Sequence, residues 1–78
     1  MPFVQVSVPA GTFSAEQKQA VVARITDLLV EIEQVEAVRP FVTVLVTEVA
    51  DGGWGVAGQV YTAKALADGF GVGPKPAP

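Results

Sequence analysis

Cysteine and histidine are both absent from this 78-residue chain. Their absence removes disulfide staples, Cys–His zinc constellations and nucleophilic triads built on His or Cys. Positive charge is sparse. Lys18, Arg24, Arg39, Lys64 and Lys75 stand singly against eight acidic residues, for a net charge of −3. No basic patch results, which argues against nucleic acid as a partner. No apolar run approaches the roughly 20 residues that span a bilayer, and no basic-then-apolar leader opens the chain. A cytoplasmic protein with no membrane partner is the expectation. Nor does a phosphate-cradling glycine motif mark the first strand–helix turn.

What is present is apolar surface. Half of the residues are hydrophobic and the mean hydropathy is +0.43. A lone chain this short buries only about 60% of its unfolded surface, so one small core is marginal. Association of subunits is the remaining route to stability. The expected organisation is a single domain over 1–68 and a Gly/Pro-rich tail over 69–78, mobile or docked on a neighbour.

Segment 3–8 alternates as a strand, with Val4, Val6 and Val8 on one face and Phe3, Gln5 and Ser7 on the other. Pro9 to Gly11 breaks it. Ser14 and Gln17 have capping-box spacing, so a helix is predicted from residue 15 to about Gln34. Val21, Val22, Ile25, Leu28, Leu29 and Ile32 form its apolar stripe, leaving Ala23 and Val30 on the far side. A loop then reaches Pro40, and 41–49 reads as a second strand apolar on both faces. Asp51 to Gly53 is a turn, Trp54 to Tyr61 a short strand or hairpin, and 62–68 a helical turn. One βαβ unit makes only a two-stranded sheet, too small to stand alone.

Chemistry is confined to few residues. Glu31, Glu33 and Glu36 read as a solvated face. Pro2 is different, because a small second residue allows removal of the initiator Met and leaves a secondary amine. Such an amine titrates near 7.7–8.0 when free, and enclosure in an apolar site lowers that value towards neutrality. An amine so tuned can carry a proton between atoms of a substrate. Taken alone, Pro2 reads as an ordinary second residue before an edge strand.

Pro2 leading a strand, Ser14-Ala-Glu-Gln-Lys18 opening a helix, Val44-Leu-Val-Thr-Glu-Val49 and Gly53-Trp-Gly-Val-Ala-Gly58 follow in order. Together they make a pattern over about residues 2–60 that resembles the 4-oxalocrotonate tautomerase family. The resemblance implies an α+β fold, a β-α-β protomer with a short C-terminal hairpin. It also implies a homohexamer, a trimer of dimers, with active sites at subunit boundaries. Pro2 matches the family's catalytic N-terminal proline. Trp54 matches an aromatic residue that walls the site, a role compatible with a place in the core or an interface.

Two positions depart from the family. Its carboxylate-binding arginines fall at Thr12 and Thr43, and a hydroxyl offers no charge-assisted clamp. Arg39 is the replacement cation nearest the expected site, and is otherwise a loop residue. Arg24 is explained by a surface pair with Asp27. Lys18, Lys64 and Lys75 read as solvated charges.

The implied function is a tautomerase-type isomerase acting on a small carbonyl or enol compound less anionic than a diacid. Pro2 is the base, and Trp54, Thr12, Thr43 and Arg39 are the substrate-binding candidates. Neither a metal nor an organic cofactor is required. Two rivals stand beside it. In one, Pro2 forms an iminium or assists hydration with Glu48 activating water. In the other, the fold is a non-catalytic or mixed-oligomer scaffold.

Overall fold

The computed structural model describes residues 2–70; the tail beyond Phe70 lies outside the described residues. Strand β1 spans Phe3–Pro9, helix α1 Ala15–Glu33 and strand β2 Thr43–Val49. A hairpin of β3 (Gly55–Val56) and β4 (Gln59–Val60) follows, then helix α2, Ala63–Phe70. The α+β, β-α-β arrangement with a C-terminal strand pair is therefore as expected.

β1 and β2 are parallel, in a register running from Phe3 opposite Thr43 to Pro9 opposite Val49. The alternation read from sequence is reproduced. Val4, Val6, Val8, Val44 and Val46 are half-buried, and Phe3, Gln5, Ser7, Thr43 and Leu45 point to the exposed face. Across that exposed face, Gln5 Nε2 donates to Thr47 Oγ1 at 3.1 Å.

α1 begins where the capping box places it. Ser14 Oγ accepts from the Gln17 N–H at 3.2 Å, and Gln17 Oε1 accepts from the Ser14 N–H at 2.9 Å. It ends at Gln34, whose φ of 59° and ψ of 30° are left-handed and whose N–H closes on the Val30 carbonyl. No described helix is long and apolar enough to cross a membrane.

Two expectations are corrected. First, residues 36–41 are not a loop or the start of a strand but a 3-10 helix, Glu36–Phe41. Pro40 fits there because its fixed φ suits a helical turn and its missing N–H costs little in so short a segment. Second, Val30 is not on an exposed side: at 6% exposure it is the most buried of the described residues. The 3-10 helix packs against α1 and is tied to it by Arg39, which pairs with Asp27. The price falls on the stripe's other edge, where Leu28 is 51% and Ile32 68% exposed. With Phe3, Val35, Phe41 and Leu45 also open, the single chain covers little of its apolar surface.

Candidate active site

Pro2 sits at the lip of the sheet, half-buried, immediately before β1. Its carbonyl accepts the Thr43 N–H at 3.0 Å. That bond extends the β1–β2 ladder by one step and fixes Pro2 beside the start of β2. Thr43 itself is exposed. These two expected site residues are thus neighbours.

Thr12 and Trp54 are elsewhere. Thr12 closes the turn after β1, its N–H and Oγ1 both donating to the Pro9 carbonyl, at 3.1 and 2.7 Å. Trp54 follows the turn after β2, half-buried, and its carbonyl accepts from the Tyr61 N–H at 2.8 Å across the hairpin. The two turns adjoin, because the Ala10 N–H donates to the Val49 carbonyl at 2.9 Å. Between them and Pro2 lie six steps of parallel strand, at about 3.3 Å each close to 20 Å. One chain does not bring Pro2 and Trp54 onto the same small molecule.

The charged side chains are mutually engaged. Arg39 Nε meets Glu36 Oε1 and its Nη1 meets Asp27 Oδ1, both at 2.6 Å. Hydrogen bonds donated by Arg39 to Glu36 first, then to Asp27, raise the guanidinium pKa above its already high ordinary value. Asp27 is therefore taken by Arg39 rather than by Arg24, its partner by helix spacing. Lys18 is not simply solvated: its Nζ lies 2.9 Å from Glu48 Oε1. The Lys18 hydrogen bond lowers the Glu48 pKa against partial desolvation, helped by charge attraction and by the Gly11 N–H. A carboxylate held ionised in this way accepts a proton from water poorly, which weakens Glu48 as a water-activating base.

The Lys18–Glu48 pair went unseen in the sequence, yet its signal is there in retrospect. α1 starts at the end of the sheet where β1 stops, and parallel β2 carries Glu48 to that same end. A shallow depression of about 340 Å³ opens beside this pair, lined by Lys18, Gln19, Val22, Ala23 and Val46. None of Pro2, Thr12, Thr43, Arg39 or Trp54 lines it.

A small β-α-β subunit with a proline ahead of its first strand defines a class, and comparison with known proteins agrees. The profile of the family described as "Tautomerase enzyme" matches residues 2–64. Among solved structures, a chain from a study of the 4-oxalocrotonate tautomerase isozymes of Methylibium petroleiphilum is 35% identical. That match has a TM-score of 0.64 and covers 83% of this chain and 97% of that one. A search of curated proteins gave no match. The chain belongs to the 4-oxalocrotonate tautomerase family, and its kinship supports a tautomerase-like isomerase function.

Proposed function

We propose that this protein is a keto–enol-type tautomerase in which Pro2, freed by removal of Met1, is the proton-transfer base. The amine takes a proton from the carbon beside a carbonyl, breaking the C–H bond and giving an enolate. It then returns that proton to oxygen or to a second carbon. The observation that carries the reading is the anchoring of Pro2 by Thr43: the carbonyl is held in the ladder, while the nitrogen lies outside it. An amine at the lip of an apolar sheet gains a lowered pKa on enclosure, and so suits acid–base use near neutral pH.

In this proposal the site is completed by another subunit, since Trp54 and Thr12 of the same chain are about 20 Å away along the strands. A neighbour's Trp54 supplies the apolar wall, and Thr12, Thr43 and Arg39 contact the substrate. A cytoplasmic homohexamer, a trimer of dimers, provides such contacts. The substrate is a small carbonyl or enol compound, with no cofactor. Ketonisation of an enol by wild type and Pro2→Ala tests the reading. General acid–base catalysis contributes about 10²–10⁴-fold, so a loss of at least about 10²-fold in kcat/KM is expected. Equal rates, or an intact mass showing that Met1 is retained, overturn it.

The rival is a non-catalytic scaffold of the same fold. The engagement of Arg39 by two carboxylates favours it, because among the described residues this cation, just ahead of β2, is already neutralised. Retention of Met1 would select this rival.

A further inference from the structure

Resting on the proton-transfer reading above, we infer that Asp27 is a positioning residue for the Pro2 amine. It acts through Arg39 and the start of β2, without touching substrate. The path is continuous. Asp27, on α1, accepts from Arg39 Nη1 at 2.6 Å, and so joins α1 to the 3-10 helix. The Arg39 carbonyl accepts the Val42 N–H at 3.3 Å, which closes that helix. The next residue, Thr43, donates its N–H to the Pro2 carbonyl at 3.0 Å.

Pro2 needs such a hold because it stands one step outside the strand register, which begins at Phe3 opposite Thr43. The first residues of a chain are ordered only where something ties them down. Here the tie is the bond to Thr43, so whatever moves the start of β2 moves the amine. The segment leading into β2 is weakly held by its own backbone. The 3-10 helix has no side-chain cap and contains Pro40, which has no N–H to donate. The bonds at its two ends are long, 3.2 Å from Val38 to Val35 and 3.3 Å from Val42 to Arg39. Glu36 steadies Arg39 from within the same segment and ties it to nothing outside. Asp27 supplies the ion pair that crosses to α1. Among the described residues Arg39 Nη2 is left free for the substrate contact proposed above. A reacting group displaced by about 1 Å can lose about 10²-fold in rate. The Asp27 side chain is 64% exposed, so the pair holds the segment only in part and a smaller loss is expected.

Asp27→Ala is the test, and it does not endanger the fold, since alanine is the better helix former at an exposed position of α1. With the enol of phenylpyruvate as probe, kcat should fall about fivefold while KM changes less than about twofold and the urea midpoint holds. Asp27→Glu, which keeps the carboxylate, should recover at least about half of the wild-type kcat. Asp68→Ala breaks an exposed ion pair on α2, with Lys64 at 3.0 Å, and should leave kcat unchanged. Hydrogen exchange gives a readout independent of turnover. The Thr43 amide should exchange at least about fivefold faster in Asp27→Ala, while amides at the centre of β2 keep their rates. An unchanged kcat or Thr43 exchange rate in Asp27→Ala overturns the inference. So does a loss confined to KM, a loss that Asp27→Glu does not recover, or an equal loss in Asp68→Ala. Equal turnover by wild type and Pro2→Ala strikes the proton-transfer reading instead, and the exchange rates then decide whether Asp27 positions Pro2.

Discussion

Alanine at Val30 and alanine at Ile32 should separate an assembled protein from a lone chain. Val30 is 6% exposed, so truncation removes two buried carbons. At about 0.8 kcal/mol for each, plus a cavity that relaxes only in part, the loss is about 2 kcal/mol. This holds whether or not subunits associate. Ile32 is 68% exposed in the single chain. Its three lost carbons are roughly one-third buried there, so truncation should cost less than about 1 kcal/mol. If another subunit covers the ridge of Leu28, Ile32 and Val35, Ile32→Ala becomes a core truncation of about 2–5 kcal/mol. We expect the second outcome. Urea unfolding followed by circular dichroism, at two protein concentrations a hundredfold apart, measures both costs. The Ile32→Ala midpoint should move strongly with concentration, and sedimentation should show smaller species. A cost below about 1 kcal/mol with no concentration dependence would refute the association argument.

Three smaller perturbations follow from local geometry. Gln34 closes α1 at φ 59°, where a side chain is strained, so Gln34→Gly should raise stability by up to about 1 kcal/mol in a thermal melt. A Cβ on Gly53 would lie 2.8 Å from Val49 Cγ1 and 3.3 Å from the Ala50 carbonyl oxygen. Gly53→Ala should therefore destabilise by about 1–3 kcal/mol and shift the emission of neighbouring Trp54. Glu48 has a pKa below its ordinary 4.5, chiefly through Lys18. Its contribution is fully present above that ordinary value and lost as pH falls through the lowered one. Glu48→Gln should thus lose less stability than wild type as pH is taken from roughly 6 to 3 in denaturant titrations.

The elements were legible because each carries a local cause. Alternating valines make β1, and Ser14 with Gln17 makes the start of α1. The packing angle of α1 was not legible, because it depends on what lies over the helix. Val30, on the far side of the stripe by sequence, is nonetheless the buried residue of α1. The 3-10 helix in turn hides behind Pro40, which reads as a loop marker unless its neighbours are known to pack. In the candidate site, Pro2 and Trp54 were legible as types but not as separate ends of one sheet. Register decides that, and register is a pairing between distant segments. The commitments of Thr12 and Arg39 were invisible for a related reason: a side chain's residue name states what it can donate, not whether it already has.

The hairpin that follows Trp54 leads somewhere further. Among the described residues β3 and β4 pair only with each other, through the two-residue turn of Ala57 and Gly58, both at positive φ. Val56 is 51% and Val60 63% exposed. A free two-stranded ribbon with uncovered valines is marginal in water. Its order then depends on dilution: as protomers separate, this arm should loosen before the β1–β2 pair does, taking Trp54 with it. Emission from Trp54 at very low protein concentration should then shift towards that of an exposed indole, while the β1–β2 pair beside Pro2 stays folded.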